Sequence, residues 1–151
     1  MPSPYKPNCI LEDAIARRKS IREFTKDEIS LENLSAILWA AYNIESVKNA
    51  VKTYVLMKDG VYVYIPSKHS LKLYRKGDFG WMGEHDTAYL KLAFVWNKSL
   101  CKNESIAAFQ IGTMGQNAYF MANCFNWDVL QLLEKEMCFT YLDYRQTKNS
   151  S

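Results

Sequence analysis

Four cationic side chains lie within six consecutive residues near the start of this chain. They are Arg17, Arg18, Lys19 and Arg22, in the stretch "ARRKSIREF". Arg18 and Arg22 are four residues apart, so they lie on the same side of the chain whether it is helical or extended. Guanidinium groups grip anionic oxygens through paired, charge-assisted hydrogen bonds, and Ser20 would add a hydroxyl donor in an extended segment. The cluster is therefore a candidate anion-binding site.

Two other interpretations of this cluster remain open. Cations at the C-terminal end of a helix are stabilised by the helix dipole and need no ligand, and composition alone favours this interpretation. The cluster could also contact a nucleic acid, for which salt-sensitive retardation of an oligonucleotide would be the sign. The formal net charge is only +3 and no aromatic residues are interleaved with the cations, so nucleic acid ranks last.

Length and composition predict one domain with a substantial core. The chain has 151 residues, of which 48% are hydrophobic and 14% aromatic. So much apolar surface in a small protein suggests that part of it is shared with a second copy. Residues 146–151 are polar and are expected to form a disordered tail. We expect residues 1–145 to form the domain.

The cysteines and the hydropathy pattern predict a soluble, cytoplasmic protein. The four cysteines are widely scattered, with no C-x-x-C pair and no nearby histidine, so we expect reduced thiols and no metal site. No apolar run approaches the roughly 20 residues needed to cross a bilayer, and the N-terminus does not resemble a secretion signal. We therefore expect no membrane association.

The apolar periodicity predicts two helices in the first third of the chain. Asn8 is the expected cap of a helix that runs into the basic cluster, with Leu11, Ala14 and Ile15 on one face. Ser30 is the expected cap of a second helix, with Ile29 and Leu34 placed as a hydrophobic staple. The apolar stripe of this second helix is Leu34, Ile37, Leu38 and Ala41.

The remainder of the sequence predicts an α+β fold. "TYVLMKDGVYVYIP" reads as a β-hairpin, "SKHSLKLYRKGDFGWMGEHD" as a polar connection and "AYLKLAFVWN" as a buried strand. "NESIAAFQIGTMGQNAYFMANCF" predicts a long buried helix, in which Gly112 and Gly115 call for a packing or ligand-approach reason. "WDVLQLLEK" predicts a further amphipathic helix and "MCFTYLDY" a final strand. The expected architecture is a central antiparallel or mixed sheet flanked by helices.

Three segments, in this order, resemble the flavin-dependent nitroreductase family. "RRKSIREFTKDEISLENLSAILWAAYNI" resembles the opening of that family, and "IGTMGQNAYFMAN" resembles its Gly-x-x-x-Gln-Asn helix. "DGVYVYIPSKHSLKLY" is similar to a segment of the azoline-oxidase-like branch. The resemblance implies a shortened nitroreductase-like FMN-binding domain over residues 1–145. It also implies that the phosphate and ribityl of FMN are held by Arg18, Lys19, Ser20 and Arg22, whereas Arg17 has no counterpart.

The resemblance implies an FMN-dependent NAD(P)H oxidoreductase that reduces small acceptors such as nitroaromatics or quinones by ping-pong hydride transfer. The cofactor carries that chemistry, so no protein nucleophile or acid–base pair is required. Because the family's sites lie between subunits, a homodimer is expected. Two family segments are missing, a Pro-Ser segment before the hairpin and a Gly-Leu-Gly turn after the Gln-Asn helix. The alternative is therefore a flavin-binding or interaction protein without turnover.

Several further side chains are candidates, each with a structural alternative. Gln116 and Asn117 are expected to contact the flavin or a second subunit, or equally to be satisfied amides of a core helix. Aromatic side chains could stack on a planar ring but are more often core; these are Tyr62, Tyr64, Trp81 and Trp96. His69, His85 and Arg145 are weaker candidates, for which we prefer exposed or structural roles.

Overall fold

Helices and strands alternate irregularly along the chain and form an α+β fold, as the sequence predicts. The computed structural model describes residues 1–19, 28–43, 50–78, 89–125, 127–134 and 137–144, the last two segments as backbone. The described helices are α1 (Leu11–Arg17), α2 (Leu31–Tyr42) and α3 (Glu104–Cys124). The described strands are β1 (Val51–Met57), β2 (Gly60–Ile65), β3 (Ser70–Lys76), β4 (Leu90–Trp96), β5 (Trp127–Glu134) and β6 (Met137–Tyr144).

The strands form one sheet in the order β3-β2-β1-β4-β6-β5, and every described neighbouring pair is antiparallel. The predicted hairpin is confirmed, because β1 pairs with β2 across a short turn. Tyr54 marks the centre of the sheet, since it lies opposite Val63 of β2 and Ala93 of β4. β1 and β4 are therefore interior strands, with hydrogen-bonded neighbours on both sides.

The core lies between one face of this sheet and the helices α2 and α3. Successive side chains of a strand point to opposite faces, so alternate residues share a face. On β4 these are Leu90, Leu92 and Phe94, each fully buried. They join one apolar cluster with Ile37 of α2 and Met114 of α3, also fully buried. Burial of such side chains contributes roughly 1.5–3 kcal/mol each, so this layer is the main source of stability.

Helix α2 begins as the sequence predicts. The backbone N–H of Asn33 donates to the side-chain oxygen of Ser30 at 3.1 Å, which caps the helix. Such a cap contributes about 1 kcal/mol by satisfying an N–H that has no partner within the helix. The predicted stripe is confirmed, because its four members are all buried: Leu34, Ile37, Leu38 and Ala41.

Helix α1 departs from the prediction at its start. It is preceded by Ile10, which makes no side-chain capping bond, so Asn8 is not the cap. Of its predicted apolar face, Ala14 is buried, whereas Leu11 and Ile15 are more than half exposed. With seven residues, the helix has only two turns, and Ala14 is its one buried residue.

The residues before α1 are attached to the rest of the protein at three points. The side chain of Ser35 donates to the carbonyl oxygen of Pro2 at 2.7 Å. The hydroxyl of Tyr5 donates to the side-chain oxygen of Asn33 at 2.9 Å. Cys9 forms a disulfide with Cys124 at the end of α3. This N-terminal arm is therefore held against α2 and α3.

The disulfide corrects the prediction of four reduced thiols. Cys9 and Cys124 are 115 residues apart, and only tertiary folding brings their Cα atoms to 5.4 Å, a distance that a disulfide spans. Among the described residues Cys101 remains a free thiol. The argument for a reducing compartment, which relied on the spacing of the cysteines, therefore loses its basis.

Two further predictions about secondary structure are wrong. Residues 70–76, expected to be part of a polar connection, form β3, which pairs along β2 from Ser70 opposite Ile65 to Lys76 opposite Gly60. Residues 127–134, expected to be a helix, form β5, which pairs with β6 over its whole length. The final strand predicted in "MCFTYLDY" is confirmed as β6. The tail at 146–151 lies outside the described residues.

No helix in the described part of the chain combines the length and the apolar character needed to cross a membrane.

Candidate functional site

The chain leaves α1 in an extended conformation at Arg18. The backbone N–H of Arg18 donates to the carbonyl oxygen of Ile15 at 3.2 Å, and Arg18 itself has φ −62° and ψ 115°. Arg18 and Lys19 are both exposed. The sequence left open whether this segment is helical or extended. The structure shows that the helix stops at Arg17 and that Arg18 has an extended backbone conformation.

A buried tyrosine of α3 holds this segment in place. The hydroxyl of Tyr119 donates to the carbonyl oxygen of Lys19 at 2.5 Å. The guanidinium carbon of Arg18 lies 5.9 Å from the centroid of the Tyr119 ring, within the range of a cation–π contact. Tyr119 is 3% exposed and belongs to the main apolar cluster. Arg18, through its side chain, and Lys19, through its backbone, therefore both contact a residue of the protein core.

Sequence analysis missed Tyr119, and no local signal would have found it. It follows Asn117 by two residues in a helix that is apolar along most of its length. Its partner Lys19 is 100 residues away. Only the packing of α1 against α3 brings the two residues together.

The side chain of Arg17 lies along α1, beside Asp13. Its guanidinium lies 3.8 Å from the carboxylate of Asp13, one turn earlier on α1, and both side chains are more than half exposed. An exposed i,i+4 pair of this kind contributes only about 0.3–0.5 kcal/mol. Arg17 and Arg18 are thus chemically alike but differently placed, since Arg17 pairs with Asp13 and the guanidinium of Arg18 lies over the buried Tyr119 ring.

Gln116 and Asn117 are both half-buried, and they lie on different sides of α3. Gln116 precedes Tyr119 by three residues, so the two are neighbours on the surface of the helix. Asn117 precedes Tyr119 by two residues and therefore points to another side. The structure places Gln116 on the same side of α3 as the residue that holds Arg18 and Lys19, and it separates Asn117 from that side.

Five of the candidate residues lie outside the described residues. They are Ser20, Arg22, Trp81, His85 and Arg145. The predicted roles of Ser20 and Arg22 in the clamp therefore remain predictions.

Comparisons with known proteins identify the fold. Residues 15–88 match the sequence model of the nitroreductase family. A structure from Ralstonia eutropha JMP134, assigned as a nitroreductase, superposes with a TM-score of 0.84 at 22% identity, over 97% of this chain and 89% of that one. The chain has a nitroreductase-like fold.

Two further relatives extend this result. A structure from Desulfovibrio desulfuricans, assigned as a nitroreductase and solved in complex with FMN, matches the nitroreductase-like fold with a TM-score of 0.67 at 16% identity, over 93% of this chain and 89% of that one. A Methanocaldococcus jannaschii protein assigned to the nitroreductases is 36% identical over 40% of this chain. The alignment spans only 39% of the length of that curated relative.

The chemistry at the end of α1 suits the phosphate of FMN. A phosphate dianion needs positive charge and several N–H donors, and a guanidinium and an ammonium group supply both. Arg18 and Lys19 present these groups at the surface, on backbone that is fixed by Ile15 and Tyr119. Contacts of these two residues, and of Gln116 and Asn117, with FMN remain predictions.

The tyrosine candidates of the hairpin are structural. Tyr64 is 5% exposed, and its ring lies edge-on to those of Tyr42 and His69. Burial, followed by the neighbouring Tyr42, raises the pKa of Tyr64 to about 12. The hydroxyl of Tyr62 donates to the carboxylate of Asp59 at 2.6 Å, and this hydrogen bond is the main cause that raises the pKa of Tyr62. Both rings are engaged with protein groups.

His69 connects the hairpin to α2 and to the N-terminal arm. Its Nδ1 lies 2.8 Å from the hydroxyl of Tyr64, and its Nε2 lies 2.6 Å from the side-chain oxygen of Ser35 and 3.1 Å from the carbonyl oxygen of Pro2. A neutral ring that accepts from Tyr64 at Nδ1 and donates from Nε2 satisfies all of these contacts. His69 is thus a structural anchor with two side-chain partners, whereas the sequence favours a ring that is exposed or bonded only to backbone.

Trp96 is also engaged within the protein. Its ring N–H donates to the carbonyl oxygen of Cys101 at 2.8 Å, and the ammonium of Lys98 lies 5.5 Å from the centre of its ring. Together these contacts hold the loop that joins β4 to α3. Within the described ranges, no group of three or more His, Cys, Asp or Glu side chains is arranged to hold a metal ion.

Proposed function

We propose that this chain binds FMN and acts as an oxidoreductase that takes electrons from NAD(P)H and delivers them to small acceptors such as nitroaromatics or quinones. One observation carries the proposal: Arg18 and Lys19 are exposed cations on an extended segment that is fastened to α3 in a nitroreductase-like fold. When bound, FMN supplies the hydride chemistry in two successive half-reactions.

The protein's own residues would bind and orient the cofactor. Arg18 and Lys19 would neutralise the phosphate, and Arg22 and Ser20 would complete the clamp as the sequence resemblance implies. Gln116 would offer its side-chain amide from α3, on the side of the helix that also carries Tyr119. A contact of Asn117 would be with another part of the flavin or with a second subunit.

A flavin titration tests the proposed site. Fluorescence quenching of FMN by the purified protein gives the dissociation constant, and Arg18→Ala is expected to weaken binding by about 1.5–3 kcal/mol. Arg17→Ala is the matched control, because the same type of side chain one residue earlier is paired with Asp13. Arg22→Ala is expected to resemble Arg18→Ala. Unchanged affinity in Arg18→Ala and Arg22→Ala would remove the assignment.

An activity measurement tests the proposed reaction. NADH oxidation in the presence of a quinone should require FMN and should cease when the flavin is removed. NADPH and a nitroaromatic should be tried in the same assay, since the donor and acceptor are part of the proposal. Tight FMN binding without any oxidation of NADH or NADPH would contradict the enzymatic proposal.

The second candidate is a flavin-binding protein without turnover. The observation that favours it is the short connection between α3 and β5. Helix α3 ends at Cys124, and β5 already begins at Trp127. This connection has no room for the Gly-Leu-Gly turn that the family resemblance leads us to expect. Anaerobic addition of NADH distinguishes the candidates, because an enzyme bleaches the flavin absorbance and a non-catalytic binder does not.

A homodimer is part of the proposal. Phe109 and Ile106 are 74% and 45% exposed, and they lie three residues apart on the same side of α3. Adjacent exposed apolar side chains on a helix whose later turns are packed in the core favour contact with a second copy. We expect this face of α3 to contribute to the dimer.

The azoline-oxidase-like branch remains a proposal based on sequence. The hairpin residues that carry that resemblance include Tyr64 and His69, which are joined by a hydrogen bond in the structure. Conversion of a peptide-bound azoline to an azole would test that relationship directly.

A further inference from the structure

We propose that Tyr119 is a positioning residue that sets Arg18 and Lys19 for the phosphate group, so that the protein distinguishes FMN from riboflavin. This inference rests on the proposed function and assigns a role to a residue that does not itself contact the flavin.

The backbone around Arg18 is fixed on both sides. Its own N–H is bonded to the carbonyl oxygen of Ile15, and the carbonyl oxygen of the following residue, Lys19, accepts from the hydroxyl of Tyr119. Backbone groups beyond the end of a helix have no hydrogen-bond partners within the helix. The Tyr119 hydroxyl is therefore the described contact that anchors the segment beyond the end of α1.

The ring of Tyr119 also constrains the side chain of Arg18. A guanidinium group that lies over an aromatic face keeps its N–H donors in its own plane, directed outward past the edge of the ring. Those donors are the ones that pair with phosphate oxygens. The cation–π contact thus limits the directions that this long side chain samples and reduces the entropy lost when it binds an anion.

Tyr119 is itself held rigidly. It is 3% exposed, lies next to the fully buried Ala118 and is followed one turn later by the fully buried Ala122. The disulfide between Cys9 and Cys124 attaches the other end of α1 to the same helix. Helix α1 is therefore tied to α3 before its start and after its end, and a clamp on such a support is more exact than one on an isolated loop.

The phosphate is the only part of FMN that riboflavin lacks, so the two ligands separate a phosphate effect from a general loss of the fold. Dissociation constants for both should be measured on the full-length protein for the wild type, Tyr119→Phe and Tyr119→Leu. Tyr119→Phe keeps the ring below Arg18 and removes the hydroxyl. Tyr119→Leu removes both. Tyr74→Phe is the matched control, because Tyr74 is 67% exposed on β3.

We expect Tyr119→Phe to weaken FMN binding by up to about fivefold, because the free energy of one hydrogen bond is the most that can be lost when the segment must be ordered on binding. Tyr119→Leu should weaken it about 10- to 50-fold, because the cation–π contact is lost as well. Riboflavin affinity should change less than about twofold in both variants and in the control. In a double variant with Arg18→Ala, the loss should be smaller than the product of the two single losses, because both act on one clamp.

Two results would overturn this inference. If FMN and riboflavin lose affinity in parallel, or if neither loses affinity in Tyr119→Phe and Tyr119→Leu, Tyr119 is a packing residue only and the proposed function stands. If the wild-type protein binds FMN no better than riboflavin, the phosphate clamp itself is absent and both proposals fail. Tyr119→Phe retains almost the whole side-chain volume, so it keeps the test available if Tyr119→Leu does not fold.

Discussion

Cys9, just before α1, is joined by a disulfide to Cys124, the last residue of α3. The bond closes a loop of more than a hundred residues that contains α1, α2, the first four strands and α3. Together with the contact between Lys19 and Tyr119, it fastens both ends of α1 to α3. This arrangement gives the candidate phosphate clamp its support.

Reduction of this disulfide is expected to destabilise the protein. Closing so long a loop restricts the unfolded chain, and its loss should cost about 2–4 kcal/mol, or roughly 5–15 °C in melting temperature for a chain of this size. Thermal and urea unfolding with and without dithiothreitol measures the effect. Cys9→Ser should behave like the reduced protein and should not respond to reductant, whereas Cys101→Ser should respond like the wild type. Equal stability with and without reductant would contradict the prediction.

Tyr64 is expected to make stability depend on alkaline pH. Its pKa is raised from 10.0 to about 12 by burial and by Tyr42. The unfolded chain loses this proton near pH 10, whereas the folded protein keeps it to about pH 12. The stabilisation is therefore complete below pH 10 and is lost as the pH rises from 10 to 12. The full shift corresponds to about 2.7 kcal/mol, and we expect about 1–2 kcal/mol because solvent partly screens the phenol.

Urea unfolding at several values between pH 9 and pH 12 measures this loss. Tyr64→Phe should lose less stability than the wild type over that interval, although it starts lower because His69 loses its hydrogen-bond partner. Tyr74→Phe, at an exposed position, should follow the wild type. Identical pH dependence in the wild type and Tyr64→Phe would show that the prediction is wrong.

Two glycines should respond oppositely to alanine. Gly112 lies in the middle of α3, and apart from its chain neighbours and the nearby backbone of the helix, no described atom lies within 4 Å of the place where a Cβ would stand. Gly112→Ala should stabilise the helix by about 0.5–1 kcal/mol. At Gly60 an added Cβ would lie 2.8 Å from the backbone oxygen of Arg75, so Gly60→Ala should destabilise by about 1–3 kcal/mol. Urea unfolding at low protein concentration compares the two, and a loss of stability in Gly112→Ala would contradict this account.

The proposed dimer should depend on Phe109. This side chain is 74% exposed on α3, and replacing it by glutamate would place a charge in an apolar contact. Phe109→Glu should weaken dimerisation by at least about tenfold, or 1.4 kcal/mol, as measured by sedimentation at low micromolar concentration. Tyr74→Ser, on the edge strand β3, should leave the association unchanged. A wild-type protein that is monomeric while it binds FMN would contradict the shared site.

The correct predictions concern elements whose own residues specify them. Ser30 caps α2 because its side chain reaches an N–H three residues away, and this needs no contact outside the segment. The hairpin of β1 and β2 is similarly local, with a short polar turn between two strands rich in β-branched and aromatic residues. The stretch that forms α3 is long, mostly apolar and lacks proline, so it too could be predicted, and the structure adds that Asn103 caps it.

The wrong predictions concern segments in which local preference is ambiguous. In "WDVLQLLEK" the apolar residues fit one face of a helix as well as a buried strand, and pairing with β6 decides for the strand. Residues 70–76 are polar and read as a connection, yet they become an edge strand because β2 offers an unpaired side.

The sequence by itself determined that the chain forms an α+β fold and that a cluster of cations lies next to a helix end, because propensity, capping and periodicity act over a few residues. It also carried the order of segments that resembles a flavin-binding family. Only the tertiary structure decided which of these cations are anchored, since Arg18 and Lys19 meet Tyr119 across about a hundred residues. The same is true of the pairing of Cys9 with Cys124. The physical reason is that such contacts depend on how α1 packs against α3, and no short stretch of sequence specifies that packing.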